Sequence, residues 1–497
     1  MAPRKAELVL LSSLILSKFK EVFNTDSSTL RTKNISRVTA HFSPCIIIYT
    51  SIMEDKSACI DRPVMESQPG LEWVRPSFWA PEPRWTKEPD MNVVAKTAYC
   101  LLGLSAADVE NATIEFINSG AFNKLYRITC SCGTFAMRVT LPVDPRFKTS
   151  SEAAVLDIVS KYTSSPVPKV IALDNSHDNE IGFEWMLMDF MPGTGLKDVW
   201  ETITWSAKCK LVERIVEITA DLFRVQCNSI GNIYRSADLP ETSARPAENG
   251  LPPGYVLDRI VSMAFFWENH ITLDIPRGPF HSSSGWLSAI LAHKKYDSDL
   301  ALATQDEPDN DSDADDEDED EVTQILIERL LQTIPKIFPP TEIANERFAL
   351  HHDDMHQENL MVDAFGELTA LVDWECVSVV PMWKVCQLPS LLAGRERSDE
   401  PQPENYSRND DGELDEGYGE HLEEYNLTRL RELFFERMEI VEPKWMAEIR
   451  ASEVKADFGW AVENCDTPFC RGRIREWLEN VIAGVEQPAL RYTMIQK

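Results

Sequence analysis

At 497 residues the chain is too long for one compact core, so two or more structural units are expected. Its 43% hydrophobic content is that of a globular protein, and no apolar run reaches the ~18–20 residues of a membrane span. A net charge of −32 argues against sequence-independent binding to nucleic acid or an anionic membrane, since both need basic surface.

In chain order, residues 1–85 read as a partly disordered N-terminal extension. Arg4 and Lys5 precede an apolar run at 8–16 that loosely resembles a secretory h-region, but Glu7 interrupts it and no small-residue cleavage site follows. Residues 18–37 are rich in Ser, Thr, Lys and Arg, a composition compatible with a mitochondrial presequence as well as with an unstructured extension. Residues 75–85, with Pro76, Trp79, Pro81 and Pro83, read as an extended segment laid on a folded body.

A helix is expected at 90–104. Short strands follow at 114–117, 125–128 and 135–139, separated by the turn signals Asn118-Ser119-Gly120 and Ser131-Cys132-Gly133. The next helix, 149–162, opens with Thr149-Ser150-Ser151-Glu152, which fits a capping box. Glu152 also falls on the apolar side of that helix, where a carboxylate is costly without a cation, and Arg138 on the preceding strand is the obvious partner. The two readings are compatible. Strands are expected at 167–172 and 185–190, ending at Met191-Pro192-Gly193.

Beyond residue 191 the pattern is mainly helical, at 207–226, 255–266, 322–337, 427–438 and 473–485. Two polar insertions interrupt it. Residues 306–321 carry twelve acidic residues in sixteen and cannot bury apolar area, so a solvated insertion is expected near 304–322. The second is placed at 397–424. The expected fold is α+β and bilobal: an antiparallel-sheet N-lobe at 86–191 and a larger helical C-lobe at 192–497.

Eleven cysteines without framework or zinc spacing indicate reduced thiols and a cytoplasmic protein, with the mitochondrion as the alternative. The triplets beginning at Asn34, Asn111, Asn405 and Asn426 resemble glycosylation sites but carry no weight without secretion.

The densest chemistry lies at 351–375. His352, Asp354 and Asn359 fit H-x-D-x-x-x-x-N, the spacing of a catalytic loop in which Asp takes a hydroxyl proton. In that chemistry the Asn and a later Asp hold magnesium against nucleotide phosphates. Residues 359–363 and 368–373 read as a hairpin about Gly366. Folding there sets Asn359 opposite Asp373, with Cβ atoms about 5 Å apart, so that an amide oxygen and a carboxylate share one hard cation. A one-residue slip in register would undo that pairing. A transition-metal site using His352, Asp354 and His356 as ligands is an alternative for the same residues, and so is a structural loop.

Taken with Gly120-Ala121-Phe122-Asn123-Lys124-Leu125-Tyr126, the Pro-Val-Pro-Lys run at 166–169, Met191-Pro192-Gly193 and Val372-Asp373-Trp374-Glu375, these motifs resemble the aminoglycoside phosphotransferase and choline kinase family, which has a protein-kinase-like fold. The resemblance covers roughly 90–395. It implies ATP and Mg2+ as cofactors and a small-molecule hydroxyl as acceptor, with no nucleic-acid or membrane partner. It implies Asp354 as base, Asn359 and Asp373 as metal ligands, and His352 and His356 as braces of the loop. Ser119, Gly120, Ala121, Phe122 and Asn123 would cover the phosphates with backbone N–H groups. Arg138 stands where such kinases keep a phosphate-binding Lys, Glu152 where its helix partner sits, and Asp189, Phe190 and Met191 at the hinge beside adenine. Two departures stand out: one glycine in the phosphate loop, and Arg in place of Lys, which keeps the charge and can bind phosphate bidentately.

The function expected is phosphoryl transfer to a small molecule, with a catalytically weak nucleotide-binding or scaffold protein as the alternative. Glu375 and Trp383 are candidates for the acceptor site.

Overall fold

The computed structural model describes residues 68–75, 81–239, 250–304, 319–408, 412–486 and 488–491. Most of the expected N-terminal extension and most of the acidic tract lie outside the described residues.

The chain first forms a hairpin, β1 (Leu71–Val74) and β2 (Glu82–Trp85), not the single extended segment expected at 75–85. Helices α1 (Met91–Leu101) and α2 (Ala106–Asn111) follow, the first capped by Asp90 and the second closed by a Ser105–Asp108 capping box. Strands β3 (Thr113–Ser119), β4 (Asn123–Cys130) and β5 (Gly133–Thr140) form a meander, broken at the turn residues expected, with buried and exposed residues alternating along β4. Helix α3 (Phe147–Tyr162) packs on it, followed by β6 (Val170–Asp174) and β7 (Glu184–Asp189). The five strands make one antiparallel sheet in the order β3-β4-β5-β7-β6.

Helix α3 begins two residues earlier than expected, after Arg146 at φ 67°. Thr149, Ser150 and Ser151 therefore lie inside the helix, and the capping-box reading fails. Thr149 Oγ1 instead donates to Glu184, 2.5 Å away, and Asn232 Nδ2 donates to Ser151 Oγ at 2.9 Å.

After β7 the chain crosses through Met191-Pro192-Gly193 to β8 (Thr194–Gly195) and α4 (Leu196–Val199). Gly193, at φ 121°, permits a close approach: a Cβ there would meet Thr369 Oγ1 at 2.5 Å and the Val362 carbonyl oxygen at 2.7 Å. The amphipathic helix α5 (Trp205–Arg224), capped by Thr204, runs through the core of the larger lobe, followed by β9 (Gln226–Cys227). Strands β10 (Asn232–Arg235) and β11 (Tyr255–Asp258) pair, then come α6 (Met263–Phe266), α7 (Ser283–Thr304) and α8 (Glu319–Ile337). The helix expected at 255–266 is thus half strand, because a short apolar run has no period that separates the two states.

Strands β12 (Phe348–His351), β13 (Leu360–Val362), β14 (Leu368–Leu371) and β15 (Ser378–Pro381) carry residues 351–375 in two small sheets, β15-β12-β9 and β14-β13-β8. The lobe is completed by α9 (Met382–Val385), α10 (Glu416–Val441), α11 (Pro443–Ala451), α12 (Glu453–Asn464) and α13 (Pro468–Ala483). Helix α10 takes in the last third of the expected 397–424 insertion. Glu423 accepts from Trp200 Nε1 at 2.6 Å and Glu424 pairs with Arg397 at 3.0 Å, so this polar stretch is bound to the lobe.

The fold is bilobal α+β, as expected, and its apolar core forms two clusters: one takes Met137, Val139, Trp185 and Leu187 of the N-lobe sheet, while the other runs from Ala136, Met186 and α3 into the C-lobe. The boundary differs from the expected one. Tyr234, Leu239, Val256, Val261 and Phe266, C-terminal to the crossover, belong to the core of the N-lobe, and Trp73 and Trp85 pack against it. Buried Asp144 ties the two together: its carboxylate takes Arg259 at 2.8 Å and Arg277 at 2.7 Å.

Candidate active site

The catalytic loop leaves β12 at His351 and enters β13 at Leu360. The hydrogen bonds around Asp354 are internal to the loop, while the Met355, Gln357 and Asn359 carbonyls accept from the N–H groups of Leu391, Lys197 and Val372. Asn359 Nδ2 donates to Asp354 twice, to the carboxylate at 2.9 Å and to the carbonyl at 3.0 Å. His356 Nδ1 accepts from the Glu358 N–H at 3.0 Å, which puts the ring proton on Nε2, 3.2 Å from Asp354 Oδ1. His352 is buried, stands edge-on to Trp374 at 4.7 Å between ring centres, and accepts the Asp354 N–H at 3.3 Å. Burial pushes the His352 imidazole down to about 4 against the pull of Asp354, so the ring is neutral at physiological pH. Both histidines therefore brace Asp354. They do not converge with it as a transition-metal triad, and among the described residues no three His, Cys, Asp or Glu side chains are grouped to hold a metal ion.

The hairpin departs from its expected register. Leu360 faces Leu371, but a bulge after Met361 shifts the pairing by one, and the Val372 N–H donates to the Asn359 carbonyl at 2.9 Å. Asn359 thus lies opposite Val372, not Asp373. Asp373 has left the strand: it sits at φ 64°, and Cys376 at φ 61°, left-handed conformations that are uncommon for residues other than glycine and strain the backbone by about 1–3 kcal/mol. Trp374, 1% exposed, anchors the segment from below, its Nε1 donating to the Leu371 carbonyl at 2.9 Å. What brings Asp373 into the site is a strained turn over a buried indole. The expected cross-strand pairing with Asn359 is absent.

Asp373 meets charge from both lobes. Arg138 on β5 forms a buried ion pair with Glu152 on α3, and its Nη1 is 4.0 Å from Asp373 Oδ1. Burial and the neighbouring Glu375 push the Asp373 carboxyl up to about 7, opposed by Arg138 and Lys148. Burial also works against ionisation of Glu375, but Lys148 and Arg138 override it and hold that carboxyl below its usual range. The donor set fits a hard divalent cation: Asn359 Oδ1 is the atom of that amide not committed to Asp354, and Asp373 is a carboxylate crowded by like charge, which a cation would relieve. Such a site relies on phosphate oxygens and water for its other ligands.

The nucleotide loop is tied down differently from expectation. The Gly120 N–H donates to the Asn123 carbonyl at 2.7 Å, so it is not free to cradle phosphate. Phe122 is buried, edge-on to Phe266 at 5.5 Å. The Asn123 side chain turns inward, receiving Thr140 Oγ1 at 2.9 Å and donating to Glu375 at 2.6 Å. At the hinge, the Asp189 N–H donates to the Lys169 carbonyl at 3.1 Å and the Phe190 N–H to the Thr134 carbonyl at 3.3 Å, while the Arg127 guanidinium lies over the Phe190 ring at 5.5 Å. Met191 continues from these into the crossover.

Both acceptor candidates are engaged within the fold. Glu375 is paired with Lys148. Trp383 is buried in the C-lobe, its Nε1 donating to Ser283 at 2.9 Å, with its ring against Trp286 and Phe338. The residues missed from sequence are Lys148 and Asp144. Lys148 lies one turn before Glu152 on the same helix face, the signal that was available for it.

Among known proteins, residues 113–433 match the model of a family described as "Phosphotransferase enzyme family". A subtelomeric hrmA-associated cluster protein of Aspergillus fumigatus is 21% identical over 325 residues, 59% of this chain and 62% of that protein. Altered inheritance of mitochondria protein 9, mitochondrial, of Candida tropicalis is 26% identical over 150 residues, 28% of this chain and 24% of that protein. The chain thus spans less than two thirds of the curated relatives it matches. Among solved structures, Plasmodium vivax ethanolamine kinase superposes with a TM-score of 0.37 at 12% identity, covering 75% of this chain and 83% of its own. The gentamicin complex of APH(2″)-IIa gives 0.39 at 10% identity, covering 82% and 99%.

Proposed function

The chain belongs to the phosphotransferase enzyme family, and from that premise we propose that it transfers a phosphoryl group from a magnesium-bound nucleoside triphosphate, ATP in the first instance, to a hydroxyl of a small molecule. The observation that carries this reading is the Asp354 cluster. One carboxylate is held by Asn359 and His356, next to a segment where Asp373 faces the Arg138–Glu152 pair.

The roles follow from the chemistry of each group. Asp354 orients the acceptor hydroxyl and accepts its proton, as in kinase catalytic loops. His356 and Asn359 keep that carboxylate in one rotamer, which is the positioning that phosphoryl transfer depends on. Asn359 and Asp373 are the residues that would hold magnesium, which when bound neutralises the charge of the transferring phosphate. Arg138, fixed by Glu152, presents a planar cation suited to phosphate oxygens. Asp189, Phe190 and Met191 offer a backbone edge for a base. Ser119 to Asn123 close over the donor, with fewer backbone N–H groups available than in a glycine-rich loop.

A second reading, a nucleotide-binding protein with little turnover, is favoured by the commitment of Arg138 and Lys148 to carboxylates. Magnesium-dependent ATP consumption by the purified protein across a panel of amino alcohols, sugars and aminoglycosides separates the two. Acceptor-dependent turnover supports transfer. Nucleotide binding with no turnover on any acceptor supports the second. The word mitochondrial belongs to the named relatives; for this chain that address, against the cytoplasm, is tested by imaging a C-terminal fluorescent fusion.

A further inference from the structure

Three segments far apart in the chain meet at one buried ammonium. Lys148, in the first turn of α3, is 1% exposed and forms an ion pair with Glu375, two residues beyond Asp373. Its Nζ also lies 3.4 Å from Asn123 Oδ1 and 5.6 Å from the centre of the Phe122 ring. Asn123 completes the triangle by donating to Glu375 at 2.6 Å, across 252 residues of chain. The Lys148 ammonium thus faces a carboxylate, an amide oxygen and an aromatic ring, and it is buried from solvent.

Two features show what this cluster does. The nucleotide loop has a single glycine, and its Gly120 N–H is used within the loop, so its position comes from side-chain anchors: Phe122 sunk against Phe266, and Asn123 bound to Glu375. The Asp373 segment is bracketed by left-handed residues at 373 and 376 and belongs to no strand, so its path also depends on anchors: Trp374 on one side and Glu375 on the other. Asn123 and Glu375 are the free ends of the two segments, and Lys148 holds both. A buried ion pair is a weak source of stability, because desolvation offsets most of its attraction. Its effect at this place is on geometry.

We propose that Lys148 is a positioning residue that fastens the nucleotide loop and the Asp373 segment to α3, so that donor phosphates and metal ligands are brought together as one unit. This rests on the phosphotransferase reading and adds a coupling to it: metal and nucleotide bind cooperatively because one ammonium orders the loops that hold each.

The test uses the full chain and trinitrophenyl-ATP as probe, titrated with and without magnesium, alongside thermal melting in the absence of nucleotide. In the wild type, magnesium tightens probe binding. In Lys148→Met that gain is lost, with magnesium-dependent affinity falling about tenfold or more, the scale of a charge-assisted hydrogen bond, while binding without magnesium changes little. Lys148→Arg recovers most of the gain. Asn123→Ala, which keeps the ion pair and frees the loop, reproduces the loss and serves if Lys148→Met does not fold. The proposal is overturned if Lys148→Met melts earlier yet keeps the full magnesium gain, which marks a structural pair. It is also overturned if affinity falls equally with and without magnesium, which marks a direct phosphate contact. A wild-type protein that binds no probe under either condition rejects the phosphotransferase reading itself, before any variant is compared.

Discussion

The catalytic loop and the charged pocket of the N-lobe are built on opposite plans. The loop is local: Asp354 is held by groups two and five residues away in sequence. The pocket is not: Arg138, Glu152, Lys148, Asn123 and Glu375 come from β5, α3, the nucleotide loop and the segment after β14, and no two of its charged partners are neighbours in the chain. A short segment that satisfies its own polar groups can be recognised wherever it occurs. A charge pocket assembled by topology has only a partial local signature: Glu152 on an apolar helix face pointed to Arg138, but Lys148, Asn123 and Glu375 taken alone are an ordinary Lys, Asn and Glu.

The comparison breaks most sharply at Asp354. Asp354→Ala should lower turnover by about 10³-fold or more, as loss of a general base does, while nucleotide affinity stays within about threefold. Steady-state rates and a binding titration check this, and full activity in the variant would reject the assignment of the loop. Next comes the pocket. Arg138→Met leaves Glu152 buried and unpaired and should cost about 3 kcal/mol or more of stability in urea denaturation, whereas Arg138→Met with Glu152→Leu should recover much of it, since removing both charges relieves the desolvation. A single variant as stable as wild type would mean that this pair does not order the N-lobe.

Glu184 sharpens the contrast through pH. Burial pushes its carboxyl up to about 7, against its bonds from Thr149 and the Arg146 N–H. The native state then keeps a proton that the unfolded chain releases above about pH 4.5, so stability falls as pH rises from there to about 7. Glu184→Gln should flatten that fall by up to about 3 kcal/mol. Parallel urea midpoints for the two proteins from pH 4.5 to 8 would show instead that Glu184 is ionised in the fold. The smallest effect belongs to the surface. Lys210 and Glu367 are 3.0 Å apart with both side chains more than half exposed, so Lys210→Met should leave the urea midpoint unchanged; a clear drop would show that this surface pair is ordered.

The meander of β3 to β5 was legible because turn residues separate its short strand-forming runs, and so was the long amphipathic α5. Helix α7 was missed: Trp286, Leu287, Ala289, Ile290 and Leu291 are all buried, so no polar face alternates with an apolar one to reveal its period. The start of α10 was masked by acidic residues that look like solvent-facing linker until Trp200 and Arg397 are seen to receive them. Asp373 lies near Arg138, but not by the cross-strand pairing expected of it. An even hairpin about Gly366 sets Asp373 opposite Asn359, but the turn is centred one residue earlier, with Val362 facing Leu368, and the bulge after Met361 recovers only part of the difference, while Asp373 itself takes a left-handed conformation.

The sequence alone determined the order and spacing of Asp354, Asn359 and Asp373, the family they indicate, and the two-lobed α+β plan, because each rests on residues close together in the chain. The sequence pointed to the Arg138–Glu152 pair, but the tertiary structure alone decided that Lys148 meets Glu375 and lies between two loops, that Trp383 is core, and where the N-lobe core ends. Attraction between charges and exclusion of water depend on distance in space, and the chain carries no record of that distance until it has folded.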